Sequence, residues 1–465
     1  MSDPLALVPL ALAARDGRVD GHSARELVAA GITLLQRCPP LVRALAGRRA
    51  GILLPTCPAF VTALAASDGR GAVLINPLAA PAEVAYQIAD ANIGAVFTIG
   101  ALASKLPAGT AHVLLDDAPA FALAAFDGEP RHVDLGAHTG IALEGELDAP
   151  GRDEEAVIVY TSAMAGTPLG AILTHRNILA NARSTIEAVE FDANTVALAV
   201  LPFAHLFGFT VTLVAPMLCG GRTVTLPRFN PMKALELIRS EGITLLVAVP
   251  SVFAALLALL ERDRAPLGAS ALRTCICGGA PLPAALQERW ERATGSPLRQ
   301  GYGLTEAGPV CLVNRRSRPN RIGTLGQAFP RVNVAVRDGE IVVRGENVFR
   351  GYVRGGERGL QVRDGWLHTG DAGTIDADGY VTFTGLIKPM FTRNGFNIYP
   401  REIERVVGAM PGVRRASVSA IPEPLRENEI ALDITGDVRE EDVQRWCEER
   451  LAVYKQPNRI TIRAS

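Results

Sequence analysis

Between Ser23 and about Asn230, stretches with apolar residues at helical spacing alternate with short β-branched runs bounded by turn residues. Ser23-Ala-Arg-Glu26 reads as a capping box, in which the serine and the glutamate three residues on satisfy each other's backbone donors. Leu27, Val28, Ile32 and Leu35 then line one side of the helix it opens. The pattern predicts strands at 51–55, 72–76, 95–99, 113–115 and 157–161. Helical segments lie between most of them, which is the alternation of a parallel βαβ sheet. Strands at 223–226, 244–249 and 274–277, with helices near 232–241 and 251–262, continue it.

After Arg321 the pattern changes to hairpins. Residues 334–343 form two alternating runs around Asp338-Gly339, a pair suited to the positive φ of a tight turn, and 376–383 suggests a second hairpin. From about 389 the pattern is helix 400–409, strands 416–421 and 430–435, helix 439–451 and a final β run near Ile460. The expected fold is α/β: a large N-terminal domain, 1–387, of two βαβ-type lobes with a small β subdomain at about 321–387. A small, mobile α+β C-terminal domain, 388–465, follows. The 465 residues exceed what one core organises, roughly 250–300.

A net charge of −1, with both signs interspersed, gives no electrostatic case for nucleic acid or an anionic membrane surface. No apolar run reaches the ~20 residues of a membrane span, and residues 1–14 lack the basic start of a signal peptide. Seven scattered cysteines, mostly in apolar runs, fit a reducing cytoplasm. Cys275-Ile-Cys277 is too close and too solitary for a zinc site. Lys105, Lys233, Lys388 and Lys455 are the only lysines, which leaves few groups for lysine-dependent chemistry.

Residues 157–175 run from a β-branched strand through a Gly/Pro turn toward a helix, an order that turns backbone amides toward an anion. Thr161, Ser162, Gly166 and Gly170 suit such a loop. Ala163, Met164, Ala165 and Leu169 stand where small, hydroxyl or cationic groups would grip a polyphosphate.

Read together, six segments in order resemble the adenylate-forming superfamily of acyl-CoA synthetases, peptide-synthetase adenylation domains and luciferases. They are 161–170 with Thr174-His175-x-Asn177, Leu201-Pro-Phe-Ala-His205-Leu-Phe-Gly208, Gly278-Gly-Ala-Pro281, Gly301-Tyr-Gly-Leu-Thr-Glu306, Gly365-Trp-Leu-His-Thr-Gly-Asp371 and Gly395-Phe-Asn-Ile-Tyr-Pro-Arg-Glu-Ile-Glu404. The resemblance implies activation of a carboxylic acid by ATP to an acyl adenylate, then transfer to the thiol of CoA or of the phosphopantetheine on an acyl carrier protein. It implies a nucleotide site of Thr161, Ser162, Gly166, Gly278, Gly279, Ala280, Gly301, Tyr302, Gly303 and Leu304. Thr305 would meet the α-phosphate, Glu306 would hold Mg²⁺, Tyr302 would stack on adenine and Asp371 would accept from the ribose. His205 would close the acyl pocket or gate the thiol tunnel, and Gly395 and Asn397 lie on the thiol side. Taken singly, the same residues also read as a turn over a packed aromatic, a turn-forming aspartate, a helix N-terminal charge and a core histidine. Phe207, Phe209, Val249 and Ser251 are candidates for the acyl pocket and equally for ordinary core. No acidic residue in 201–210 is available to hold an α-ammonium, so the expected acid lacks an α-amine.

The departures fall on one chemical step. The family's loop glycine, two threonines and lysine are Ala163, Met164, Ala165 and Leu169; its supporting arginine is Leu386; and its hinge residue is Pro389, whose fixed φ is expected to restrict domain rotation. The family's C-terminal lysine follows a Tyr-Lys-x-Pro segment, here Tyr454-Lys-Gln-Pro457, and the sequence given ends at Ser465 with no later lysine, so only Lys388 or Lys455 stands as a substitute. The expectation is a ligase-type protein with strongly impaired adenylation, using Mg²⁺ only if that step survives, and transferring acyl groups from a preformed adenylate or thioester. The alternative is a non-catalytic protein that binds a nucleotide or acyl ligand or supports a partner enzyme. The oligomeric state is left open, a homodimer included.

Overall fold

The computed structural model describes residues 8–13, 15–67, 71–116, 120–124, 131–134, 153–161, 168–263, 267, 270–355, 359–387, 390–423 and 427–463. The apolar runs build two nine-stranded sheets among these residues. The first has the order Gln327–Ala328, Val310–Val313, Leu298–Gly303, Thr274–Cys277, Leu245–Ala248, Val196–Ala199, Arg222–Thr225, Arg18–Val19, His22–Ser23. It is parallel from Leu298–Gly303 to Arg18–Val19 and antiparallel at its edges. The second has Glu155–Thr161, Ala72–Leu74, Arg49–Ile52, Ile93–Thr98 and His112–Leu114 as its parallel centre. Leu245–Ala248 and Thr274–Cys277 are buried at every position, as strands covered on both faces must be.

Local signals act as the sequence predicts. The Ala24–Arg37 helix opens at its capping box: Ser23 Oγ accepts from the Glu26 amide at 3.2 Å, and Glu26 Oε2 accepts from the Ser23 amide at 2.9 Å. Asp338 (φ 51°) and Gly339 (φ 79°) join Val332–Arg337 to Glu340–Gly345. This hairpin belongs to a five-stranded sheet in which Trp366–Ile375 pairs with Glu340–Gly345 on one side and Val381–Leu386 on the other. The small C-terminal domain carries helices Pro400–Gly408 and Glu440–Arg450 on a three-stranded sheet of Val413–Glu423, Glu427–Gly436 and Arg459–Arg463. Ile403, Val407, Ile430, Leu432 and Val443 give it a core of its own.

One expectation is corrected. No helix follows the phosphate loop directly. Leu169–Thr174 turns back antiparallel to Glu155–Thr161, with Leu169 opposite Thr161, and the His175–Val189 helix starts only afterwards, capped by Thr174. The reason is burial: Ala171 and Leu173 reach zero exposure only by pairing into the sheet. Ser162 and Gly166, with Ala163, Met164 and Ala165, lie outside the described residues, as do Lys388 and Pro389.

The segment Phe207–Val214 is π-helical and wholly buried. Residues two apart on a helix face nearly opposite ways, so Phe207 and Phe209 diverge. Phe209 packs on Phe60, with ring centroids 6.1 Å apart, in the core of the large domain. Phe209→Ala is therefore expected to lower unfolding stability by about 3–5 kcal/mol in urea titration while leaving acyl preference unchanged; a shifted preference at retained stability would refute the core assignment.

Candidate active site

Two sheets meet at the residues expected to hold the nucleoside. Tyr302, at the end of Leu298–Gly303, donates its hydroxyl to Asp371 Oδ2 at 2.6 Å, and Asp371 sits mid-strand in Trp366–Ile375. Burial, then the adjacent carboxylate, pushes the Tyr302 hydroxyl well above its ordinary pKa, so it stays a donor. Gly279 (φ 81°) supplies the positive φ of the turn beside them. A cavity of about 110 Å³ lies here against Gly279, Ala280, Gly301, Tyr302, Asp371 and Leu386. Leu386 is directly opposite Asp371 in the strand pairing and 43% exposed. An apolar side chain therefore stands where the family resemblance puts a cation.

Glu306, the residue expected to hold Mg²⁺, is buried. Its Oε1 accepts the Tyr352 hydroxyl at 2.8 Å and lies 3.5 Å from Thr161 Oγ1. Tyr352, which belongs to none of the motifs, also accepts from the Leu360 amide at 3.1 Å and so fixes the carboxylate. No group of three His, Cys, Asp or Glu side chains comes together among the described residues. A Mg²⁺ ion here would be held by Glu306 and the phosphates of its nucleotide, which suits an ion that keeps only one or two protein carboxylates. Leu169 packs against the large core.

A larger cavity, about 500 Å³, opens between the two domains. The large domain contributes Thr161, His205, Phe207, Gly278, Gly301, Tyr302, Gly303, Leu304 and Thr305; the small domain contributes Gly395 and Asn397. His205 Nδ1 accepts from the Phe207 amide at 3.2 Å, which leaves the ring proton on Nε2. Burial lowers the His205 pKa to about 4, so the ring is neutral at physiological pH and offers a donor to the cavity it lines. Phe207 packs against Gly278, where a Cβ would meet Phe207 Cζ at 3.0 Å.

The residues left open between acyl pocket and core divide between the two. Phe209 is core, and neither Val249 nor Ser251 lines the cavity. Val249 instead receives the tip of the small domain's hairpin, where Asn394 (φ 50°) and Gly395 (φ 75°) turn between Phe391–Arg393 and Phe396–Ile398. A Cβ on Gly395 would lie 2.3 Å from Val249 Cγ1, so only glycine permits this approach. The cavity also takes in Lys455 and, with it, Glu83, Tyr86 and Trp446, which no motif singles out. Lys455, named from the sequence as a substitute for the family's C-terminal lysine, lies instead in an ion cluster. Its Nζ lies 2.7 Å from both Glu83 Oε1 and Glu402 Oε1.

Residues 43–353 match the AMP-binding enzyme family, and the chain belongs to it. A feruloyl-CoA synthase from Amycolatopsis sp is 32% identical over 434 residues, covering 89% of this chain and 84% of that protein. Among solved structures, a malonyl-CoA ligase product complex with methylmalonyl-CoA and AMP matches with a TM-score of 0.79 at 26% identity, covering 97% of this chain and 95% of that one. ATP-bound MatB from Rhodopseudomonas palustris matches at 0.68, also at 26% identity, covering 100% and 95%. The large N-terminal and small C-terminal domains are those of this adenylate-forming fold. No helix among the described residues is long and apolar enough to cross a membrane.

Two outcomes are expected from this geometry. Gly395→Ala should displace the hairpin tip from Val249 and lower the rate of acyl transfer from a synthetic acyl adenylate to CoA at least tenfold, with little change in unfolding midpoint. For His205 the folded pKa lies below the unfolded 6.5, so its contribution is whole above 6.5 and is lost as pH falls toward about 4. Urea titrations at pH 7 and pH 5 should therefore show the native chain losing up to about 2 kcal/mol more than His205→Gln. An equal loss in both would show that burial does not lower the His205 pKa.

Proposed function

We propose that the protein transfers an acyl group from an acyl adenylate to the thiol of CoA or of a phosphopantetheine arm, and that it forms the adenylate from ATP only slowly. The observation that carries this reading is the single cavity running from Tyr302 and Thr305, past His205, to the Gly395 turn of the small domain. In the transfer step the thiol sulfur bonds to the acyl carbon, the carbon–oxygen bond to AMP breaks, and the thiol proton leaves to solvent. His205, neutral with its proton on Nε2, supplies a donor to the acyl carbonyl oxygen as that oxygen gains charge. Tyr302 and Asp371 hold the nucleoside, Thr305 meets the α-phosphate, and Asn397 lies with Gly395 on the thiol side. Mg²⁺, if bound at Glu306, would offset phosphate charge.

The acid is one without an α-amine. Phe207, Gly278, Pro309 and Val310 line the acyl end, and residues 201–210 include no carboxylate for an ammonium. The feruloyl-CoA synthase relative acts, by its name, on an acid of this class.

Slow adenylation is supported by two placements. Leu386 faces Asp371, and Leu169 packs on the core, where a cation would otherwise oppose the developing phosphate charge. Losing one preorganised donor costs about 3–4 kcal/mol, or a few hundredfold in rate, and such losses do not simply add. The test compares carboxylate-dependent exchange of pyrophosphate into ATP, across a panel of acids, with thioester formation from the matching synthetic acyl adenylates and CoA. Transfer is expected to outrun exchange by at least about a hundredfold. Leu169→Lys with Leu386→Arg should raise exchange at least tenfold. Exchange as fast as transfer in the native chain would refute the impairment, and absence of both with every acid and acceptor would make the protein a ligand binder.

A further inference from the structure

We propose that Lys455 is a positioning residue: with Glu83 and Glu402 it forms a buried ion cluster that clamps the small domain on the large one in the arrangement that seats Gly395 for thiol transfer. The consequence for catalysis rests on the transfer reading above; the clamp itself rests on geometry alone.

The cluster crosses the domain boundary. Glu83 belongs to the Pro81–Asp90 helix of the large domain, while Glu402 lies on Pro400–Gly408 and Lys455 on the short turn Val453–Lys455 of the small one. The ammonium is 2.7 Å from each carboxylate, and side-chain exposures are 6% for Lys455, 12% for Glu83 and 4% for Glu402. Exposed ion pairs contribute little because water and salt screen them; a cluster this buried is screened far less. A lone buried charge is costly, so separating the domains must rehydrate the ions or leave them unpaired. Burial works against the Lys455 ammonium, but Tyr454 and the two carboxylates overcome it and raise its pKa. Glu83 is held for this contact, because its other oxygen accepts from the Ala80 amide at 2.9 Å.

Stiff contacts connect the cluster to the thiol-side turn. Arg393 Nη1 donates to the carbonyls of Tyr454 (3.0 Å) and Gln456 (2.9 Å), bracketing Lys455 on both sides. The Tyr454 ring stacks on Phe396 with centroids 4.1 Å apart and planes 16° from parallel. Arg393 and Phe396 are the two residues flanking the Asn394-Gly395 tip. A grip on Lys455 is thus a grip on the hairpin that meets Val249.

The informative variant is Glu83→Gln in the full chain, because it breaks the cross-domain contact and leaves the Lys455–Glu402 pair inside the small domain. Hydrogen–deuterium exchange is read in the Glu440–Arg450 helix, which packs against Pro81–Asp90 from the other domain, so fraying of Glu83's own helix does not register there. Exchange in that helix is expected to rise at least tenfold, and kcat for transfer from a synthetic acyl adenylate to CoA to fall at least tenfold. KM for the adenylate should change less than threefold. Lys455→Arg should keep protection and Lys455→Met lose it. Unchanged exchange in Glu83→Gln overturns the clamp, and raised exchange with unchanged kcat overturns its role in positioning. If the native chain transfers no acyl group while Glu83→Gln still loosens the helix, the clamp stands and the transfer reading fails.

Discussion

The site is organised by the hydrogen bond between Tyr302 and Asp371. Each residue is fixed by a sheet and not by a loop: Tyr302 ends a strand of the first large sheet, and Asp371 is held mid-strand in the five-stranded sheet. A carboxylate placed there requires donors, and the tyrosine hydroxyl, 2.6 Å away, meets that requirement across the two sheets. That contact sets how the β subdomain sits over the sheet edge, and hence where the nucleoside cavity opens. It also determines what Leu386 faces, because the pairing that positions Asp371 places Leu386 opposite it.

What was legible in the sequence was local. The Ser23–Glu26 box, the Asp338-Gly339 turn and the elements of the small domain fall within a few residues of expectation, because capping chemistry, positive φ and apolar period act over three to ten positions. The motifs that carried the family resemblance were legible for the same reason. The strand Leu169–Thr174 was not, since its identity depends on a partner strand across the loop and on burial that no short window shows. Phe207 and Phe209 stayed open between pocket and core because two aromatic neighbours of His205 look alike in sequence, while the turn of the π-helix sends them to different places. The pair Glu83 and Lys455, separated by 372 positions, was beyond any local pattern.

The lysines give the same lesson in chemical form. A chain with four of them spends each described one on structure. Lys105 Nζ donates to the carbonyls of Pro77 and Ala79, Lys233 pairs with Glu236 on the surface, and Lys455 is held by two glutamates. An ammonium with a carboxylate 2.7 Å away on two sides stays charged, yet it is not a mobile donor for a phosphate. Lys455 therefore answers the question its scarcity raised: the structure uses it to place the small domain.

The two unusual features of the chain act in one direction. Two arrangements of a pair of domains compete by their difference in free energy, and a contact present in only one of them shifts the balance by its full worth. The Glu83–Lys455 contact is made in the arrangement that brings Gly395 to Val249, so any other placement of the small domain forfeits it. Adenylation would have to recover that loss from ATP contacts, and Leu169 and Leu386 stand where the family resemblance places cations. On the slow-adenylation reading proposed above, weak gains from the nucleotide and a clamp on the thiol side would compound each other, because the energy missing from the first is what would be needed to release the second.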